Sequence, residues 1–342
     1  MTGQLEISRE GGLGIIALNR PEAINALNVE MIDGITRTLT QWRDDDDIRV
    51  VLFEGRGPRG FCSGGDVRAV RQMVLDGRLD EADAYFAAEY AMNGLIATYP
   101  KPTVALTHGV VMGGGIGIAG HCRYRLSLGE GKWAMPEAAI GLVTDVGVNF
   151  ILAKAPLDAA LNFVMSGATV SVAGALSLGL LDAMVAADDR EGVLSDLATA
   201  AQAPDIDAAI VHMIQRRGLS GGYGAPDAQR IGDRTTTAVA IDWEDFTTAA
   251  NTVAALHAES GTSNSPASLY AIHASHLAAR KLATVHEVLA LDLRLAKLLC
   301  RLPDFAEGVR AVLVDKDRRP KWSPEIKQTT ELIRAAIGPK PV

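Results

Sequence analysis

The chain has few cysteines, no excess of basic residues and no long apolar run. Each shortage closes off a class of function. Cys62, Cys122 and Cys300 stand far apart with no C-x-x-C spacing. Neither a zinc site nor a disulfide framework is expected from them, and a reducing compartment is. Lys and Arg number 33 against 41 Asp and Glu, a formal net charge of −8. The basic footprint of a nucleic-acid binder is therefore missing. No stretch approaches the ~20 apolar residues of a membrane span. Met1 leads quickly into strand-like Leu5-Glu6-Ile7, without the basic and apolar regions of a signal peptide. These readings predict a soluble cytoplasmic protein with no nucleic-acid and no membrane partner.

What is present is globular. The 342 residues are 48% hydrophobic and 22% charged, enough for a sizeable core and two domains. Residues 4–19 read as a β-hairpin around Glu10-Gly11-Gly12. Met31, Ile32, Ile35, Leu39 and Trp42 recur at helical spacing, so a helix is expected over about 28–43. Strands follow at 48–54, 101–109 and 122–128, with a short one at 182–187, and a long helix covers 80–98. Further helices are expected at 146–165, 171–179, 189–201, 205–217, 242–258, 265–280, 284–301 and 304–313, then a polar tail. Gly and polar residues over 218–236 read as a loop or lid. The alternation of strands and helices stops near residue 190, which divides the chain into a 1–190 core and a 191–342 helical region.

Two Gly-rich loops each lie between a strand and a helix: Cys62-Ser63-Gly64-Gly65-Asp66 and Met112-Gly113-Gly114-Gly115. Backbone N–H groups at such places can approach a ligand closely and face developing negative charge. A pair of them would form an oxyanion hole for a thioester carbonyl. Two plain strand–helix turns would look the same. Glu137 in Met-Pro-Glu-Ala-Ala-Ile-Gly-Leu is poorly explained as a solvated residue, and Asp145 precedes Val146-Gly147. Either could be a general base or nucleophile. Either could instead serve a helix start, worth ~0.3–1 kcal/mol as a first-turn acid or as an N-cap. Glu89, with Phe86 and Met92 three residues away on either side, faces an apolar surface of the long helix and would need a partner there.

Three motifs are set aside. Gly115-Ile116-Gly117-Ile118-Ala119-Gly120 matches the dinucleotide fingerprint, but Gly109 to Met112 separate it from the preceding expected strand. Gly218-Leu219-Ser220-Gly221-Gly222 matches a nucleophile elbow without the strand and helix that elbow requires. His273 and His276 have metal-pair spacing but no third ligand, and His108 at a strand end reads as structural.

On these residues the chain resembles the crotonase (enoyl-CoA hydratase/isomerase) superfamily. The resemblance is carried by L-N-R-P-E-A-I-N-A-L-N (18–28), G-F-C-S-G-G-D-V-R (60–68), K-P-T-V-A-L-T-H-G-V-V-M-G-G-G-I-G (101–117) and M-P-E-A-A-I-G-L (135–142). F-A-E-G-V-R-A-V-L-V-D-K-D-R-R-P-K-W (305–322), S-P-A-S-L (265–269) and Glu89-Tyr90 are similar to a thioester-hydrolase branch of it. The resemblance implies an α/β crotonase-like spiral of strand–strand–helix turns with a C-terminal helical region. It implies oxyanion-hole N–H groups from Gly65 and Gly114, and a catalytic Glu137. It gives Asp145 contact with the acyl hydroxyl end and Glu89 a further contact with the substrate. Ala26, Leu27, Asp66 and Val67 would lie at the adenine end of CoA. No cofactor is implied beyond the CoA of an acyl-CoA substrate, and the partner is a further copy of the chain in a homo-oligomer, trimer-based or smaller.

Hydratases of the superfamily carry a second catalytic glutamate two residues beyond the glycine triplet; here that position is Gly117. Hydrolysis of 3-hydroxyisobutyryl-CoA, or of a close short 3-hydroxyacyl-CoA, is thereby favoured over hydration or isomerisation of an enoyl-CoA. A non-catalytic acyl-CoA-binding protein is the third reading, and retention of Glu137, Asp145 and both loops argues against it. Val143 and Thr144 replace the Phe-Pro usual in the hydrolases, which leaves the acyl group open.

Overall fold

Residues 3–219, 264–324 and 326–338 are described in the computed structural model of the chain. The chain forms two compact units, each assembled from separate segments. The first takes residues up to Gly65, Ala91–Trp133 and the described residues from Val170 to 219. The second takes Asp66–Tyr90, Ala134–Thr169 and the described residues from 264 onward.

The first unit is built on a seven-stranded sheet. Strands β1 (Leu5–Glu10) and β2 (Leu13–Leu18) form the expected antiparallel hairpin, Leu5 opposite Leu18 and Glu10 opposite Leu13. β2 then pairs in parallel with β3 (Val50–Gly55). The helix Val29–Arg43 lies between them in sequence, as a parallel connection requires. Asn28 caps that helix by accepting the Met31 N–H at 3.0 Å. β4 (Gly60–Cys62) pairs with β5 (Thr103–Met112), and the main order continues from β3 through β5 and β6 (Tyr124–Ala134) to β7 (Ala183–Val185). Side chains two apart share a sheet face. Leu13 and Ile15, Val50 and Leu52, and Val104 and Leu106 accordingly meet Val193, Leu197, Ile210 and Met213 in one buried core. Those last four come from the helices Arg190–Ala200 and Ile206–Arg217.

Among its described residues the second unit is helical apart from the end of β6. Its helices include Val67–Leu75, Val148–Leu152, Leu157–Ser166, Pro266–Ala279, Val285–Leu299, Pro303–Val309 and Ile326–Ile337. The long helix Leu79–Ala97 gives this unit its residues up to Tyr90. Ile326–Ile337 lies against Pro266–Ala279 and Val285–Leu299. Thr284 and Glu287 form a reciprocal capping box that starts Val285–Leu299.

Several boundaries differ from expectation. The segment 55–66 contains β4, a strand too short to show in periodicity. β5 runs on through Gly109 to Met112 because β4 gives it a partner there. The helix expected over 146–165 is broken before Leu157 by Pro156, which has no N–H to continue it. The expected polar tail holds a helix that buries Ile333 and Ile337. The loop at 218–236, beyond its first two residues, and the helix at 242–258 lie outside the described residues. The expected α/β architecture with a C-terminal helical region is what the described chain shows. No described helix is long and apolar enough to cross a membrane.

Candidate active site

In the first unit the two glycine loops meet. Asn25 is fully buried, and its side-chain amide donates to the carbonyls of Arg56, Gly60 and Phe61 at 2.9–3.2 Å. Ser63 N–H donates to Ile24 O and Leu27 N–H to Gly64 O. Ala26 and Leu27 are thereby drawn alongside Gly64-Gly65, and Leu27 forms a β-bridge with Gly65. Cys62 Sγ donates to Asn25 O at 3.1 Å and accepts the Gly64 N–H at 3.4 Å. A Cβ on Gly64 would stand 3.3 Å from Gly114 N, and one on Gly115 would stand 2.5 Å from Cys62 O. Only glycine permits that approach of the two loops. Gly114 opens the helix Gly114–Ala119, where an N–H has no intrahelical acceptor. Both loops are thus strand–helix turns.

In the second unit the buried carboxylates include Glu89 on Leu79–Ala97, Glu137 in the 3-10 turn Glu137–Ile140, Asp145 before Val148–Leu152, and Asp292 within Val285–Leu299. The Tyr90 hydroxyl donates to Asp145 Oδ2 at 2.5 Å. Gly147 N–H donates to Asp292 Oδ2 at 2.8 Å. Glu89 Oε1, Glu137 Oε2, Asp292 Oδ1 and Thr144 Oγ1 are buried without hydrogen-bond partners. Asp145 is not an N-cap, since Gly147 holds that position.

Charge in this cluster is scarce. Burial first, then the nearby Asp145, pushes Glu89 and Asp292 well above the ordinary carboxylate range. Burial, Asp145 and Glu89 do the same to Glu137. Burial also raises Asp145, but the Tyr90 hydrogen bond and its own backbone N–H hold it to about 6. Asp145 is thus the acid of this set whose charge is supported by a side-chain hydrogen bond, and that charge makes ionisation of the others harder. Buried carboxyls with shifted affinities and unused acceptors are suited to proton transfer and to binding a polar ligand.

The turn that carries Glu137 is gripped from the C-terminal helices. Ser265 N–H donates to Ala138 O at 2.9 Å. Ser265 Oγ donates to Asp304 Oδ2 at 2.5 Å, while Asp304 Oδ1 accepts the Ser323 N–H. A Cβ on Gly141 would fall 2.3 Å from Asp304 O, and one on Gly308 would fall 2.6 Å from Ile140 C. These contacts explain why S-P-A-S-L and F-A-E-G-V-R belong with Glu137.

Asp66 caps Val67–Leu75 by accepting the Ala69 N–H at 3.3 Å, and Val67 opens that helix. Gly117 is buried inside Gly114–Ala119, with its N–H bonded to Gly113 O. The dinucleotide fingerprint fails for that reason and not for the spacing argued from sequence. β5 reaches Met112, so a strand does precede the helix, but the motif lies within the helix, and the N–H groups of Ile116, Gly117 and Gly120 are bonded there. His108 Nε2 lies 2.8 Å from Gly57 O, in keeping with a structural role. His273 and His276 are buried in Pro266–Ala279, and no group of three or more His, Cys, Asp or Glu among the described residues could hold a metal. The elbow-like motif continues outside the described residues after Leu219.

Sequence reasoning missed Asp292. The signal was available: it interrupts the buried stripe Val285, Val288, Leu289, Leu295 and Leu299 at helical spacing. Tyr90, Asn25 and Ser265 stand in the motifs without a role that the sequence shows, and Asp304 lies just outside them, because their partners are distant in sequence.

The profile of the enoyl-CoA hydratase/isomerase family matches residues 13–336. A 3-hydroxyisobutyryl-CoA hydrolase of Danio rerio is 32% identical over 321 residues, covering 92% of this chain and 83% of the relative. The 3-hydroxyisobutyryl-CoA hydrolase 1 of Arabidopsis thaliana is 30% identical, covering 94% and 87%. The crystal structure of a carnitinyl-CoA dehydratase from Mycobacterium thermoresistibile superposes with a TM-score of 0.79 at 32% identity, over 98% of this chain and 96% of that one. The crotonase-like architecture expected from sequence is thereby established. The cytoplasmic placement is overturned, since the Danio rerio relative is named as mitochondrial. Cysteines that form no disulfide fit any reducing compartment and do not single one out.

Proposed function

The chain belongs to the enoyl-CoA hydratase/isomerase family, and from that premise we propose that it hydrolyses 3-hydroxyisobutyryl-CoA to 3-hydroxyisobutyrate and CoA. The observation that carries this reading is the inventory of acids. Gly117 offers no side chain where a hydratase has its second glutamate, while Glu89, Glu137 and Asp145 form a buried set in the second unit. Hydration needs a proton delivered to carbon as well as an activated water. Hydrolysis needs only one attack on the thioester carbonyl and departure of a thiolate.

In this reading the N–H groups of Gly65 and Gly114 donate to the thioester oxygen as it gains charge, each worth ~3 kcal/mol in the transition state. Glu137 then activates water, or attacks the carbonyl itself to give a mixed anhydride that water opens. Either way the C–S bond breaks, the thiolate takes a proton, and the acid product keeps one oxygen from water. Asp145, held by Tyr90, orients the acyl hydroxyl or the water. Glu89, pushed toward its protonated form by burial and by Asp145, can donate to the substrate. Ala26, Leu27, Asp66 and Val67 serve the adenine end of CoA. The working form is a homo-oligomer, trimer-based or smaller.

The test is thiol release across a panel of short acyl-CoA thioesters, with 3-hydroxyisobutyryl-CoA expected to be turned over fastest. The likeness to the carnitinyl-CoA dehydratase of Mycobacterium thermoresistibile favours a second reading, hydration or isomerisation of an enoyl-CoA. Loss of enoyl-CoA absorbance without free thiol would establish that reading and reject hydrolysis.

A further inference from the structure

Asp292 is a fully buried carboxylate that the reaction above does not use. It lies on an otherwise apolar helix face, where an acid is costly unless it does something leucine cannot. One oxygen, Oδ2, accepts the Gly147 N–H at 2.8 Å; the other has no hydrogen-bond partner. Gly147 is two residues beyond Asp145, and the link between them is strained. Val146 has a φ of +53° and Gly147 one of +71°. A β-branched residue in the left-handed region persists only where its surroundings hold it. Val148 N–H closes the turn onto Asp145 O at 3.2 Å.

We infer that Asp292 is a positioning residue: by holding the Gly147 N–H it fixes the left-handed turn that presents the Asp145 carboxylate to Tyr90. The inference rests on the hydrolase reading for its kinetic consequence. Asp145 is then located from two directions, its carboxylate by the Tyr90 hydroxyl and its backbone by Asp292. The charged and titratable groups that act on Asp292 are Asp145 and Tyr90 from other elements and Arg294 from its own helix. Burial and Asp145 both favour the protonated acid, which still offers a carbonyl oxygen to Gly147. The geometry therefore asks for an acceptor at this place and not for a charge.

That distinction gives the test. Asp292→Asn keeps an acceptor of the same size, and Asp292→Leu keeps the volume and removes the acceptor. Replacing a buried acid by a packed apolar residue often leaves stability equal or higher. In the full chain, Asp292→Asn should hold kcat for thiol release within about threefold, the tolerance for a retained geometry. Asp292→Leu should lower kcat by roughly 10–100-fold with KM for the acyl-CoA little changed. The Gly147 amide, followed by hydrogen exchange without substrate, should exchange faster in the Leu variant and not in the Asn variant. Parent kcat and parent exchange in Asp292→Leu, or equal damage from Asn and Leu, would overturn the inference. Should the Leu variant fail to fold, Asp292→Ala is measured in its place with the same outcomes. A parent protein that releases no thiol rejects the hydrolase reading, and the exchange measurement still decides the role of Asp292.

Discussion

The Tyr90 hydroxyl sits 2.5 Å from Asp145 Oδ2, and this bond favours the ionised form of Asp145 within the buried acidic cluster. It opposes the burial that would otherwise carry Asp145 further up, and holds it to about 6.

Removing that donor has a direct consequence for pH dependence. The hydrogen bond lowers the Asp145 value, so Tyr90→Phe raises it and less of the residue is ionised at a given pH. A hydrogen bond to a charged group is worth about 1.5 kcal/mol, or roughly one pH unit. The acid limb of the kcat profile should move up by about that amount, with Tyr90→Phe approaching the parent above pH ~8. A limb that stays in place or moves down would exclude Asp145 as the group that sets it.

Glu137→Gln removes the base or nucleophile and keeps the shape. Thiol release should fall by about 10²–10⁴-fold. Binding of CoA should survive, because the residues assigned to its adenine end lie elsewhere in the sequence. Turnover at the parent rate would remove Glu137 from the mechanism.

The same cluster sets the sign of a stability effect. Asp145 rises from its ordinary 3.8 to about 6 on folding. Its contribution is fully present below about pH 4 and is lost as pH climbs through 6. The loss amounts to roughly 3 kcal/mol once ionisation is complete. Glu89, Glu137 and Asp292 are shifted in the same direction. Melting temperature should therefore fall between pH 5 and pH 8, and Glu89→Gln should flatten that fall. A melting temperature that climbs over this range would contradict the burial of uncompensated acids.

Gly308→Ala should be more damaging than its one added methyl suggests. The new Cβ would land 2.6 Å from Ile140 C and 2.7 Å from Ile140 Cα, where backbone cannot yield cheaply. Overpacking of this kind costs about 1–3 kcal/mol. It would also shift the turn that carries Glu137, so kcat should drop beyond what reduced folding accounts for, measured on the folded fraction at low temperature. Unchanged kcat would show that the grip on this turn has no catalytic role.

Much of this was legible in the sequence where the controlling contacts are local. Apolar spacing placed the helix Val29–Arg43 within a residue of its observed start. An acid inside an apolar run singled out Glu137, and the glycine clusters singled out both loops. What could not be read was whatever depends on a distant partner. β5 continues past Gly109 because β4 pairs with it, and no local pattern announces β4. By sequence Asp145 reads equally as a cap and as a functional acid; that Gly147 holds the cap position and that Tyr90 bonds its carboxylate are visible only in the fold. Asp292 satisfied the criterion that picked out Glu137. Its relation to Gly147 exists only in three dimensions.

The bond between Gly147 and Asp292 joins residues 145 positions apart. Closing so long a loop adds little to the entropic cost, which grows only with the logarithm of its length. It does weigh on speed, because chains dominated by such distant pairings fold slowly. The Glu137 turn is under the same constraint, since it waits for Ser265, Asp304 and Gly308. The sheet of the first unit draws on strands that end at Val185 and can form from the earlier part of the chain. A nascent chain emerging from the ribosome would thus hold a folded sheet well before its acids are set in place. The Glu137 turn is set in place only with the last helices, and a chain cut short before Pro303 would lack the Asp304 and Gly308 that grip it.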